Sequence, residues 1–169
     1  MTSYRSVSLL ARTTSAEATR QLAAAVAGHA RAGDLVLLAG DLGTGKTVFV
    51  QGFARGLGID EQVTSPTFVL LRPYEGPVLR LLHADIYRLD QLSEVLDLGL
   101  LEQLDEKAVA CVEWGDLAEP VLPADFLAVR LAYGDGDDDR VVEARPVGAR
   151  WHTRFGALRQ TLDPWLVER

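Results

Sequence analysis

The sequence contains little cysteine, little lysine and no excess of positive charge. Among its 169 residues, Cys111 is the only cysteine, and Lys46 and Lys107 are the only lysines. A single cysteine excludes an internal disulfide, which favours a reducing compartment. The formal net charge of −7 argues against a DNA-binding or large RNA-binding surface, because an acidic protein repels phosphates.

Long apolar runs are also missing. The apolar segment 35–39 is far too short to cross a bilayer, and residues 1–10 lack the charged-then-apolar layout of a signal peptide. We therefore expect a soluble, cytoplasmic protein that binds no membrane. The composition, 48% hydrophobic and 24% charged, is typical of a globular protein, and the length fits one domain over residues 1–169.

Strand and helix patterns alternate along the chain, which predicts an α/β fold with a central sheet. The predicted strands are 7–11, 35–39, 68–74, 78–82, 108–112, 126–133 and 140–145. The predicted helices are 15–30, 46–57, 93–106 and 150–162. Segment 134–139 is glycine- and aspartate-rich, so strands 126–133 and 140–145 are expected to form a hairpin with a polar tip.

Residues 40–47 read Gly-Asp-Leu-Gly-Thr-Gly-Lys-Thr and match the phosphate-binding pattern G-x-x-x-x-G-K-[ST]. Glycines let successive backbone N–H groups turn inward around an anion, and the following helix adds the positive end of its dipole. We expect Lys46 to be a catalytic cation on the β- and γ-phosphates, and the Thr47 hydroxyl to bind Mg²⁺. The candidate nucleotide-binding residues in this loop are Asp41, Leu42, Gly43, Thr44, Gly45, Lys46 and Thr47.

The preceding strand and the following helix argue against a chance match in a glycine-rich turn. The nucleotide is expected to be ATP rather than GTP. A guanine-specific protein of this type usually carries an Asn-Lys-x-Asp signature, and neither Lys46 nor Lys107 lies in one.

Two carboxylates are candidates for the acid that such a nucleotidase needs at a strand end, where it holds the metal or orients water. Glu113 follows the apolar strand 108–112 and is the candidate catalytic and metal-binding residue. Asp85 lies just beyond strand 78–82 and is the second catalytic candidate. The alternatives are an exposed strand-end carboxylate for Glu113 and a helix cap or turn residue for Asp85.

Segment 64–68, Thr-Ser-Pro-Thr-Phe, lies where nucleotide switches place a hydroxyl near the γ-phosphate. Thr67 is therefore a further nucleotide-binding candidate, although Ser-Pro also marks ordinary turns. Strand alternation is expected to aim His83 and Asp85 to one side. Trp114 packs either over the nucleotide or a partner, or as a core or rim aromatic.

These motifs, taken in order, resemble the TsaE (YjeE) family, the P-loop ATPases of tRNA threonylcarbamoyladenosine (t6A) biosynthesis. The resemblance runs from about residue 14 to 116, and segment 125–165, a hairpin and helix, carries no matching motif. The matching segments are 40–47, 64–68, His83-Ala84-Asp85-Ile86-Tyr87-Arg88, Glu94 through Leu98-Gly99-Leu100, and Glu113-Trp114-Gly115-Asp116.

The resemblance implies a three-layer P-loop NTPase fold with a mixed parallel and antiparallel sheet. It implies that ATP and Mg²⁺ bind, with Thr47 and Glu113 near the metal, Asp85 in the active site and residues 65–68 acting as a switch. It also implies two partners, TsaB and TsaD, whose threonylcarbamoyl-transferase complex is reset by ATP hydrolysis. The tRNA, modified at adenosine 37, is then reached only through that complex.

No arginine finger is identifiable from the residues, although Arg55 and Arg88 are candidates, so we expect hydrolysis to be slow alone and gated by a partner. A small-molecule kinase and a nucleotide-dependent scaffold that needs no hydrolysis remain alternatives. Direct tRNA binding is a third, through a patch formed by Arg145, Arg150, Arg154 and Arg159, unless these arginines only form a solvated helix face.

Overall fold

The structure is a computed structural model that describes residues 7–66, 70–87, 89–104 and 107–167. The strands are β1 (Leu9–Thr13), β2 (Leu35–Ala39), β3 (Leu71–Tyr74), β4 (Arg80–Asp85), β5 (Ala108–Glu113), β6 (Phe126–Tyr133) and β7 (Arg140–Val147). The helices are α1 (Ala16–Ala27), α2 (Lys46–Gly56), α3 (Leu92–Asp97), α4 (Leu100–Leu104) and α5 (Ala149–Leu162), with short 3-10 helices at Gly115–Val121 and Asp163–Trp165.

All of these strands belong to one sheet, in the order β1-β7-β6-β2-β5-β4-β3. The central strands β6, β2, β5 and β4 are parallel, whereas β1, β7 and β3 are antiparallel to their neighbours. The predicted mixed sheet is therefore confirmed. The apolar runs of β2 and β5 are buried along their whole length, as parallel strands covered on both faces should be.

Helices cover both faces of the sheet and produce three layers. One face packs against α1, α2 and α5, and the other packs against α3, α4 and the 3-10 helix Gly115–Val121. Because alternate residues of a strand point to opposite faces, β5 sends Cys111 into the first layer and Val112 into the second. No helix in the described part of the chain is long and apolar enough to cross a membrane.

Several predicted boundaries were wrong. The single helix over 93–106 is two helices, because Gly99 adopts φ 74° and breaks the segment between Asp97 and Leu100. Strand β4 continues beyond the predicted end at residue 82 to Asp85, because pairing with β5 continues to Glu113. Residues 67–69, part of the predicted strand 68–74, lie outside the described residues.

The arginines near the C-terminus do not form one exposed face. Arg154 is only 7% exposed and donates bidentately to Asp34, at 2.6 and 2.8 Å. Arg150 donates to the same carboxylate at 3.2 Å. Both predicted arrangements, a basic patch and a solvated helix face, are therefore wrong for Arg154, because this side chain is used inside the protein to fix α5 beside β2.

Candidate nucleotide site

The candidate site lies where the carboxyl ends of the parallel strands meet. In the sheet register, Asp85 at the end of β4 pairs with Glu113 at the end of β5, and Glu113 pairs with Leu38 near the end of β2. The loop 40–45 follows β2 directly and leads into α2 at Lys46. The crevice outside the carboxyl ends of parallel strands is the usual ligand position in α/β sheets.

The loop has the backbone conformation that an anion nest requires. Gly40, Gly43 and Gly45 have φ values of 144°, 81° and 102°, a region that side chains disfavour. No side chain caps the N-terminus of α2. The N–H groups of the first turn are therefore left for a ligand, and the helix dipole favours a negatively charged one.

The other predicted loop residues contribute differently. Leu42 and Gly43 line the cavity beside the loop, and Leu42 is 75% exposed at its tip. The side chains of Asp41 and Thr44 do not line it. Instead, the Thr44 hydroxyl donates to the Asp41 carbonyl at 2.8 Å and holds the loop closed.

Lys46 is a buried ammonium without a carboxylate hydrogen-bond partner among the described residues. Its Nζ donates to the carbonyls of Gly40 and Asp41, at 2.8 and 2.9 Å, and lies 4.1 Å from the centre of the Trp114 ring. Burial lowers the pKa of Lys46, against the opposing effect of nearby carboxylates, chiefly Glu113. An ammonium that donates to neutral carbonyls can also form a charge-assisted hydrogen bond to a phosphate.

Glu113 is almost fully buried, so the alternative of an exposed carboxylate is wrong for this residue. Its side chain connects the start of α2, just after the loop, to β4. The Thr47 hydroxyl donates to both carboxylate oxygens, at 2.9 and 3.0 Å. On the other side, His83 Nε2 lies 2.6 Å from Oε2. These two contacts hold the Glu113 carboxylate between the first turn of α2 and β4.

Asp85 is half-buried and lines the same cavity, so the structure brings both acids together. One oxygen accepts from the backbone N–H of Tyr87 at 3.0 Å, and the other faces the Ser65 hydroxyl at 3.4 Å. Asp85 is therefore also a turn residue, which is the alternative role that the sequence analysis gave for it. Burial is the main cause that raises the pKa of Asp85, and the charge of Glu113 adds to it.

Aromatic side chains close one side of the site. Trp114 has φ 61°, an uncommon conformation for a bulky residue, and this turn places its ring over Lys46. The Tyr87 ring packs against Trp114 with 4.8 Å between the centroids and the two planes tilted by 34°. The cavity has a volume of about 530 Å³ and is lined by Leu42, Gly43, Gly45, Lys46, Thr47, Val48, Ser65, Pro66, Leu70, Asp85, Tyr87, Glu113 and Trp114.

The residues present fit a magnesium ion that a nucleotide helps to hold. No group of three or more His, Cys, Asp or Glu side chains among the described residues could hold a metal alone. Mg²⁺ usually binds one or two carboxylates together with substrate phosphates and water. The Thr47 hydroxyl and the Glu113 carboxylate supply suitable oxygen donors beside the loop.

One other predicted residue, Arg55, lies away from this site, and two more cannot be assigned to it. Arg55 is in the last turn of α2 and pairs with Glu17 at 2.6 Å, so it lies far from the loop at the other end of the helix and is wrong as a finger candidate. Thr67 and Arg88 lie outside the described residues. Within the described chain, no arginine lines the cavity.

Sequence reasoning missed the residues that contact the loop from the C-terminal part. The Tyr133 hydroxyl donates to the Leu42 carbonyl at 2.6 Å, and Arg140 donates to the Thr44 carbonyl at 3.0 Å. These partners are 91 and 96 residues apart in the chain. No local pattern could have indicated contacts over that separation.

Comparison with known proteins identifies the family. A family model described as "Threonylcarbamoyl adenosine biosynthesis protein TsaE" matches residues 13–142. The chain is 44% identical, over 140 residues, to the tRNA threonylcarbamoyladenosine biosynthesis protein TsaE of Bacillus subtilis, covering 83% of this chain and 87% of that protein. The Streptomyces coelicolor protein of the same name is 43% identical over 142 residues, covering 79% and 94%.

The fold agrees with a solved relative. The crystal structure of Bacillus subtilis YdiB superposes with a TM-score of 0.78 at 35% sequence identity, covering 94% of this chain and 98% of that one. The matched region of the family model includes the loop, both strand-end acids and the hairpin residues that contact the loop. The chain belongs to the TsaE family.

Proposed function

We propose that this protein is a cytoplasmic Mg²⁺-dependent ATPase of a single domain, which acts in the biosynthesis of N6-threonylcarbamoyladenosine at position 37 of tRNA. Proteins of the TsaB and TsaD type are its partners, and it reaches tRNA through them. Membership of the TsaE family supports the pathway. The site chemistry supports the reaction.

One observation carries the proposal of hydrolysis. The Thr47 hydroxyl and the Glu113 carboxylate meet in front of a glycine loop whose lysine has no carboxylate hydrogen-bond partner in the described part of the chain. Lys46 and the N–H groups of the loop would bind the phosphates, and Thr47 with Glu113 would hold Mg²⁺, which neutralises charge that develops on the transferred phosphoryl group. Asp85 lines the same cavity and would orient the attacking water.

A slow intrinsic rate is part of the proposal. Phosphoryl transfer is accelerated strongly when an arginine reaches the transferred group. The described residues that line the cavity include no arginine. A partner that supplies a cation, or that reorders the segment around Ser65, would therefore raise the rate.

The test compares Glu113→Gln with Glu102→Gln, a matched control on the exposed face of α4. Each variant is incubated with γ-labelled MgATP, TsaB, TsaD and substrate tRNA, and both phosphate release and t6A formation are counted. We expect Glu113→Gln to bind ATP, to release phosphate about 100-fold more slowly and to lose repeated turnover of the complex. The control should match the unmodified protein.

Other outcomes would select an alternative function. Label transferred to a metabolite rather than to water would indicate a small-molecule kinase. Full t6A formation by an ATP-bound Glu113→Gln variant that releases no phosphate would indicate a scaffold that needs nucleotide but no hydrolysis. Rapid phosphate release by the protein alone would contradict gating by a partner.

A further inference from the structure

The carbonyl groups of the loop are held from two sides. On the inner side, Lys46 Nζ donates to the carbonyls of Gly40 and Asp41, at 2.8 and 2.9 Å. The next three carbonyls, those of residues 42–44, accept hydrogen bonds from the hairpin formed by β6 and β7. Five successive carbonyls therefore each have a side-chain donor.

The hairpin supplies its donors from two residues that face each other across the strand pair. Tyr133 pairs with Arg140 in the register of β6 and β7. The Tyr133 hydroxyl donates to the Leu42 carbonyl at 2.6 Å. Arg140 donates through Nε to the Thr44 carbonyl at 3.0 Å and through Nη2 to the Gly43 carbonyl at 3.4 Å.

Arg140 is itself fixed before it contacts the loop. Its Nη1 donates to the carbonyls of Asp137 and Asp139, both at 2.8 Å, and its guanidinium carbon lies 4.9 Å from the centre of the Tyr133 ring. Asp139 is in turn paired with Arg12 at 2.7 Å. A donor already ordered by its own contacts loses little conformational entropy when it holds the loop.

The geometry points to Tyr133 and Arg140 as positioning residues for phosphate binding. In an anion nest the N–H groups point toward the ligand, whereas the carbonyls of residues 42–44 face the hairpin. Donors on the carbonyl side therefore set the direction of the N–H groups on the phosphate side. This role rests on the nucleotide binding of the proposed function, but it does not depend on hydrolysis.

The test uses two small changes and one matched control. Tyr133→Phe removes only the hydroxyl, and Arg140→Lys keeps the charge but loses the planar fork that reaches two carbonyls. Arg130→Gln removes an exposed arginine of β6 in the same hairpin, and among the described residues its side chain has no hydrogen bond to the loop. For each protein, calorimetry gives the Kd for MgATP and MgADP, kinetics give KM and kcat, and a melting curve gives the thermal midpoint.

We expect both loop-contacting variants to raise the Kd and the KM about 3- to 10-fold, as the loss of one or two hydrogen bonds predicts. Their kcat at saturating ATP and their thermal midpoints should equal those of Arg130→Gln. A merely structural role would lower the thermal midpoint and leave the Kd of the folded protein unchanged.

Two results would overturn the positioning role. One is a Kd for Tyr133→Phe and Arg140→Lys equal to that of Arg130→Gln, which would leave the proposed function intact. The other is an unmodified protein that binds neither MgATP nor MgADP. That result would overturn both the positioning role and the proposed function. Nucleotide binding without phosphate release in the unmodified protein would contradict hydrolysis alone, and the positioning role would stand on the Kd values.

Discussion

Two buried carboxylates lie at opposite ends of the sheet, and their partners differ. Asp34, which precedes β2, is completely buried and accepts hydrogen bonds from Arg154, Arg150 and the backbone N–H of Arg31. Glu113, at the end of β5, is 3% exposed and is held by a hydroxyl and an imidazole.

This difference distinguishes a charge that is fully paired within the fold from charges that can still bind a ligand. The Asp34 carboxylate is paired inside the protein by two guanidinium groups, so it has no capacity left for a ligand. Near Glu113, by contrast, the Lys46 ammonium donates to carbonyls and lies over an aromatic face, without a carboxylate hydrogen bond among the described residues. Nearby carboxylates offset the cost of its burial only in part, because burial still lowers its pKa, and a bound phosphate would offset that cost further.

The largest expected effect follows from Asp34→Ala. This change leaves Arg154 buried without its carboxylate, which should lower the free energy of unfolding by about 3–5 kcal/mol. Urea denaturation measures the loss, with the exposed Asp60→Ala as the control. The folded fraction should bind ATP with unchanged affinity, and a weakened Kd would show that the two ends of the sheet are coupled.

Lys46→Met should show the reverse pattern. ATP affinity is expected to fall about 100-fold, because the phosphates lose a buried cationic partner. Stability should change by less than about 1 kcal/mol, since the substitution removes a desolvated ammonium that has no carboxylate hydrogen bond within residues 7–66, 70–87, 89–104 and 107–167. Lys107→Met, at the only other and exposed lysine, is the control. A stability loss as large as that of Asp34→Ala would contradict the comparison.

The smallest effect concerns pH and Asp85. Because burial raises its pKa in the folded protein, stability decreases as the pH rises from the ordinary aspartate value near 4 through the higher folded pKa. Asp85→Asn should remove this decrease and gain a few tenths of a kcal/mol at pH 7, since the side chain is only half-buried. Urea denaturation between pH 4 and 7 measures this pH dependence of the free energy of unfolding, with Asp60→Asn as the control. A gain at pH 4 that disappears at pH 7 would contradict the sign.

Local patterns predicted the elements that face the phosphate. The glycine spacing around Lys46 is readable because all of its residues lie within one turn between a strand and a helix. The positions of Glu113 and Asp85 followed from apolar strands that stop at an acid. The end of β4 was predicted too early, because His83 is polar and its burial depends on a side-chain hydrogen bond to Glu113 on the neighbouring strand.

The sequence by itself determined the phosphate loop, the α/β alternation and the acids at the strand ends, since each depends on neighbours a few residues away. Only the tertiary structure decided how these charges are partnered. It placed Arg154 on Asp34 across 120 residues and Arg140 on Thr44 across 96. Such contacts are set by sheet order and helix packing, which bring distant segments together through the burial of apolar surface.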